Sequence, residues 1–143
     1  KWAVKIGGGE NHRFGLYDAI LVKDNHVDAC GGVAPALAAV RSYLERHDLD
    51  LPVVFEVRSM EELQVLCSAG RVDRILLDNF GVENLREAVA WLGPDHITEA
   101  SGNIRSNNLV AYAETGVHFL SIGALTHSVE ALDLSLKIRS VTS

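Results

Sequence analysis

The sequence predicts an α/β fold, an incomplete parallel βα-barrel-like domain of five units, and three observations carry that prediction. Apolar runs that stop at polar residues recur along the chain, with polar ends at Lys23, Glu56, Asp78, Ser101 and Gly123. Those ends are 33, 22, 23 and 22 residues apart, close to the sum of a strand of about five residues, a helix of about eleven and two short loops. The stretches between the runs read as helices, and right-handed crossovers then make the strands parallel. Every repeat thereby brings its polar residues to one C-terminal strand edge, where βα barrels carry their chemistry. A complete eight-unit barrel takes about 250 residues, so a chain of 143 holds part of one.

The elements follow in order. Ile20-Leu21-Val22 reads as a buried strand ending at Lys23-Asp24-Asn25, and Ala36 to Arg46 as a helix packed on an apolar surface. Pro52 to Val57 is β-branched and aromatic, hence a strand, and Ser59-Met60-Glu61-Glu62 is a capping box opening a helix that stops at Gly70. Asp73 to Asn79 is the third strand, followed by a helix from about Glu83 to Leu92 and the stop Gly93-Pro94. His96 to Gly102 is the fourth, followed by a helix capped near Ser106 and ended at Gly116. Val117 to Gly123 is the fifth, and a last helix is expected from about Ser128 to Arg139.

Composition excludes several classes. With 48% hydrophobic and 22% charged residues the chain is globular and soluble, and a net charge of −6 leaves no overall footprint for nucleic acid. Any anion site must be local. No apolar run approaches the roughly 18 residues that span a bilayer. Cys30 and Cys67 form neither a disulfide framework nor a metal-ligand spacing, so both are expected as small buried hydrophobes in a reducing compartment, the cytoplasm. The start at Lys1 rather than Met leaves a signal or transit segment open.

The densest stretch is Gly7-Gly8-Gly9-Glu10-Asn11-His12-Arg13. Glycines let backbone approach an anion closely, and the Arg13 fork suits carboxylate or phosphate oxygens. The bland reading is a glycine turn before a core strand. Lys23 closes a wholly apolar strand, which puts its ammonium inside the mouth of a site unless it snorkels to solvent. Glu56 and Asp78, on neighbouring strands, form a carboxylate pair suited to Mg²⁺ with phosphates or to ribose hydroxyls, or else serve as caps or ion-pair partners. Ser101-Gly102-Asn103 and Gly123-Ala124-Leu125-Thr126-His127-Ser128 lead into helices whose N–H groups can donate to a docked phosphate, or are ordinary caps.

The block GGGENHRFGLYDAILVKDNH resembles the quinolinate phosphoribosyltransferases, also called nicotinate-nucleotide pyrophosphorylases (carboxylating), and three later segments agree with that family in order. The resemblance implies that residues 1–143 are a portion of a C-terminal barrel domain. An N-terminal sandwich domain and a first barrel strand carrying Thr-Arg-Lys are expected outside them. It implies phosphoribosyl transfer from phosphoribosyl pyrophosphate (PRPP) to quinolinate with decarboxylation, giving nicotinate mononucleotide, CO₂ and pyrophosphate in de novo NAD synthesis. Lys23, Glu56 and Asp78 take catalytic roles by resemblance. His12, Arg13 and Lys23 meet the pyridine dicarboxylate, with Asp24, Asn25 and His26 on the same rim. Glu56, Asp78, Ser101, Gly102, Asn103, Gly123, Ala124 and His127 face PRPP, with Mg²⁺ at Glu56 and Asp78. A homo-oligomer, a dimer or a hexamer of dimers, donates an arginine from a second subunit, so the fragment alone is expected to be inactive.

Two positions depart from the family pattern: Val54 stands where an acidic residue is common, and Asn103 replaces a glycine. Asn tolerates positive φ, so the loop is expected to keep its shape. A molybdenum-transport-associated paralogue shares the glycine and His-Arg block, but Lys23-Asp24-Asn25-His26 argues for the quinolinate enzyme. A non-catalytic βα module is the third reading.

Overall fold

A computed structural model describes residues 1–138. The described elements are α1 (Trp2–Ile6), β1 (Ile20–Val22), α2 (Asp24–Cys30), α3 (Val33–Arg46), β2 (Val53–Val57), α4 (Met60–Ala69), β3 (Arg74–Asp78), α5 (Val82–Leu92), β4 (Thr98–Ser101), α6 (Leu109–Ala113), β5 (Phe119–Leu120) and α7 (Ala124–His127). The five strands form one sheet in the order β1-β2-β3-β4-β5, every neighbouring pair parallel. This is the expected open barrel segment, with β1 and β5 as its edges.

Strand pleating divides the side chains between two faces. Val22, Phe55, Val57, Ile75, Leu77 and Ala100 point to one face and join Ala36, Leu37, Leu63, Leu66, Leu85, Ala88 and Leu92 of α3, α4 and α5 in the apolar core. The opposite face carries Val54 and Glu56 of β2, Arg74, Leu76 and Asp78 of β3, and Glu99 and Ser101 of β4. Register sets Leu76 beside Glu99, and Asp78 beside Ser101. One face is therefore dry, and the other holds the charged groups.

Local chemistry explains most boundaries. The Ser59 hydroxyl accepts from the Glu62 N–H at 3.3 Å and starts α4, while Glu62 turns its carboxylate to the Arg58 N–H at 2.7 Å, so only half of the expected capping box forms. Gly31 adopts φ 80° and closes α2, and Gly70 terminates α4. α2 was not expected: Asp24, Asn25 and His26 begin a helix, and the His26 Nδ1 accepts from the Lys23 N–H at 2.9 Å.

Three expectations are corrected. The helix expected near Ser106 starts only at Leu109, because the Asn108 side chain accepts from the Arg105 N–H and donates to the Asn103 carbonyl, folding 103–108 into a turn. The helix expected from Ser128 is absent over the described residues, and Arg139 lies outside them. Leu132, Leu134, Leu136 and Ile138 fall on alternate positions, a period of two that gives no helical stripe, and all are more than 80% exposed. Cys30 is exposed and Cys67 only half-buried, its thiol pushed up by burial, so neither is the buried hydrophobe expected.

Candidate active site

The segment between α1 and β1 positions the first functional residues. Gly8 turns the chain at φ 85°, and the Gly9 N–H bonds back to the Val4 carbonyl at 2.9 Å. Further on, the Asp18 carboxylate accepts from the N–H groups of Phe14 (2.7 Å) and Gly15 (3.0 Å), bonds that hold its pKa below the usual carboxylate value. Arg13 lies between these turns and donates through Nη1 to the Ala19 carbonyl at 3.3 Å. His12 and Arg13 thus face the polar side of the sheet.

There they line a cavity of about 540 Å³ with Lys1, Arg74, Glu99, His118, Ser121 and Gly123 among its other walls. Glu99, 1% exposed, is its centre. Its Oε2 accepts from Arg74 Nη1 at 3.0 Å and faces His12 Nε2 at 3.3 Å, and its Oε1 accepts from the Ser121 hydroxyl. The His12 approach lies off the axis of a hydrogen bond. Burial raises the Glu99 carboxyl, but His12, Ser121 and Arg74 together outweigh it and leave the group below its ordinary value. Arg74 also stacks on the Phe119 ring, its Cζ 4.2 Å from the centroid.

A second cavity, about 380 Å³, is walled by Ser101, Gly102, Asn103, Ile104, Arg105, Ser121, Gly123, Ala124 and His127. Both loops singled out from the sequence meet in it. No acidic side chain lines it, whereas Arg105 and His127 do. Asn103 adopts φ 55°, the left-handed conformation expected where the family has glycine, and donates to Asn79 Oδ1 at 3.1 Å. Ser121 and Gly123 belong to both cavities, so the two adjoin.

Glu56 and Asp78 stand apart from these walls. The Glu56 carboxyl is raised, first by burial and then by the charge of Asp78, with Asp24 adding and the Asp24 N–H and Lys23 opposing. The Asp78 charge acting on a partly buried Glu56 is of the kind that a cation would relieve. Asp78 is braced by the Ser101 hydroxyl and by Asn79 Nδ2 at 2.7 Å. Among the described residues no three His, Cys, Asp or Glu side chains converge to hold a metal alone, so an ion here needs further oxygens from a ligand and water, as Mg²⁺ usually does. Lys23 is exposed rather than enclosed, and lines neither cavity, although its charge reaches Glu56.

Glu99, Arg74, Ser121, His118 and Arg105 were missed as site residues. A carboxylate set between Thr98 and Ala100 inside an apolar strand was the signal that pointed to Glu99.

Fold and site together define a βα-barrel-like domain with two adjoining cavities, one on the polar face of the sheet and one at its C-terminal strand edge. The chain belongs to the quinolinate phosphoribosyl transferase family, whose C-terminal domain model matches residues 1–137. It is 47% identical, over 96% of its length, to "quinolinate phosphoribosyltransferase (decarboxylating) 2b, mitochondrial" of Nicotiana tabacum, covering 43% of that protein. It is 45% identical to the nicotinate-nucleotide pyrophosphorylase (carboxylating) of Mycobacterium leprae, covering 96% of this chain and 48% of the relative. Among solved structures it superposes on the nicotinate-nucleotide pyrophosphorylase of Francisella tularensis with a TM-score of 0.84 and 41% identity, covering 94% of this chain and 46% of that one. NadC from Streptococcus pyogenes gives a TM-score of 0.85 and 39% identity, with 96% and 47% covered. The chain thus spans a little under half the length of these relatives. No described helix is long and apolar enough to cross a membrane.

Proposed function

We propose that this chain supplies the barrel part of an enzyme that transfers a phosphoribosyl group from PRPP to quinolinate with loss of CO₂, giving nicotinate mononucleotide and pyrophosphate. The observation that carries the reading is the shared wall of Ser121 and Gly123 between the His12–Arg13 cavity and the Ser101–His127 cavity. A dicarboxylate in the first and a pyrophosphate-bearing sugar in the second would meet there. Relatives with about the same residue identity over 96% of the chain bear the name of this activity.

In the first cavity Arg13 meets no carboxylate of its own among the described residues, so its fork is available to a substrate carboxylate. Charge becomes positive at the anomeric carbon and negative on the leaving pyrophosphate during transfer. Arg105, His127 and the loop N–H groups suit the second, and the carboxylates of Glu56 and Asp78 tolerate the first. Glu56 and Asp78 would hold Mg²⁺ together with phosphate oxygens, and the ion would offset the charge of the leaving group. Decarboxylation leaves an electron pair on the ring carbon that loses CO₂, which takes a proton from solvent and calls for no protein base, so this chain's contribution is positioning. The residues suit neither a covalent nucleophile nor nucleic acid.

The same reading makes the full-length protein a homo-oligomer, supported by Trp2, Phe14, Leu16 and Tyr17 standing exposed beside the first cavity's segment. It places the protein in a reducing compartment, the cytoplasm, supported by two unpaired thiols. The test is release of CO₂ from carboxyl-labelled quinolinate by the full-length protein with PRPP and Mg²⁺. PRPP-dependent release is expected, and release that is absent or independent of PRPP would overturn the assignment.

A further inference from the structure

The transfer proposed above gives Glu99 no role, yet it is the most enclosed charge in the site. A carboxylate 1% exposed is strongly disfavoured unless its oxygens are matched, and here Arg74 and Ser121 donate hydrogen bonds to it while His12 stands 3.3 Å away. Arg74 comes from β3, Ser121 from the residue just beyond β5, and His12 from the segment that crosses the polar face. Arg74 and Ser121 lie diagonally across the sheet from Glu99, because register puts Leu76 and Phe119 directly beside it. The carboxylate therefore ties the crossing segment to the sheet.

Two consequences follow for the cavity. The Arg74 guanidinium, stacked on Phe119 and paired with Glu99, has its charge cancelled internally, which leaves Arg13 as the cation of this pair facing a ligand. His12 Nε2 lies 3.3 Å from Glu99 Oε2 without the alignment of a hydrogen bond, and a bare nitrogen lone pair that close to a carboxylate oxygen would be repelled, so the contact favours the tautomer with the proton on Nε2 and leaves Nδ1 as the other ring nitrogen.

We propose that Glu99 is a positioning residue: it sets the tautomer and orientation of His12 and neutralises Arg74, so that the dicarboxylate is read by His12 Nδ1 and by the Arg13 fork. The inference rests on the function proposed above for its substrate, but not for its spectroscopic test. A residue that acts this way serves ground-state binding, and its loss raises KM rather than lowering kcat.

The experiment uses the full-length protein with ¹⁵N-labelled histidine, the His12 signals being assigned by their loss in His12→Gln. Glu99→Gln is expected to raise the quinolinate KM roughly tenfold to a hundredfold, the scale of one charge-assisted contact, with kcat within about threefold and the PRPP KM unchanged. The His12 ring nitrogens should move from an Nε2–H pattern towards an average of both tautomers. Identical His12 signals in Glu99→Gln and wild type, or a fall in kcat at constant KM, would overturn the proposal. Should Glu99→Gln fail to fold, Glu99→Asp keeps the charge while withdrawing it by one methylene, and is read by the same signals and the same criteria. If the wild-type protein shows no quinolinate turnover, the functional reading fails, while the tautomer comparison still decides the role of Glu99.

Discussion

Gly102, in the loop after β4, lies against the Asn79 side chain so closely that a Cβ on the glycine would fall 2.2 Å from Asn79 Oδ1 and 2.9 Å from the Asn79 backbone nitrogen. Gly102 itself sits at φ 89°, and Asn79 and Asn103 on either side of the contact hold φ 56° and 55°. Three left-handed residues, two of them adjacent in sequence, thus shape the rim of the 380 Å³ cavity.

Gly102→Ala should destabilise the loop by at least the roughly 1–2 kcal/mol of a left-handed alanine, with the contact adding to it, and should raise the PRPP KM more than the quinolinate KM. Adding Asn79→Gly should restore only part of the loss, because the backbone nitrogen stays in place. Steady-state kinetics on the full-length protein check both.

Arg13→Lys replaces a planar fork by a point charge. Quinolinate use should weaken by about 1.5–3 kcal/mol in kcat/KM with the melting temperature unchanged. Unaltered kinetics would remove Arg13 from the site.

Glu56 and Glu99 have opposite effects on stability as pH changes. Because the Glu56 carboxyl is raised in the fold by burial and by Asp78, its contribution is full below the ordinary 4.5 and is lost as pH rises through the folded value. Glu56→Gln should therefore stabilise the protein at neutral pH while impairing activity. Glu99, held low by His12, Ser121 and Arg74 against its burial, contributes above 4.5 and loses that contribution as pH falls through its folded value. Thermal unfolding of each Gln variant against wild type at acid and neutral pH reads the two signs.

Leu77, fully buried on the middle strand β3, tests the dry face. Leu77→Ala should cost about 2–5 kcal/mol of stability, seen as a lowered denaturation midpoint, with the KM values little changed in the fraction that remains folded.

The 143-residue chain by itself should release negligible CO₂ from quinolinate. It spans under half the length of its relatives, β1 and β5 are edge strands among the described residues, and Trp2 and Leu16 stand exposed. Turnover near that of a full-length protein would show the remainder to be dispensable.

The strands were legible because each combines β-branched residues with an abrupt polar end, and the repeat of about 22 residues supplied the parallel order. Ser101, Gly102, Asn103, Gly123, Ala124 and His127 were legible as two loops at one strand edge for the same reason, and the structure brings them to one cavity. What escaped reading lies beyond local pattern. Glu99 sits mid-strand, where only the partners Arg74, Ser121 and His12, distant in sequence, reveal its part. α6 was displaced by a side-chain turn at Asn108, and residues 132–138 carry a two-residue alternation where a helix was expected.

The placement of β3 at the middle of the sheet, with β5 reduced to two residues at an edge, implies unequal rates of amide hydrogen exchange. Amides of β3 open only with the whole domain, whereas those of β5 and the loop leading into α7 exchange through local fraying. The wall of Ser121 and Gly123 lies on that softer side. A phosphate-bearing ligand seated there would slow exchange at this edge first, giving a residue-level footprint of binding that requires no turnover.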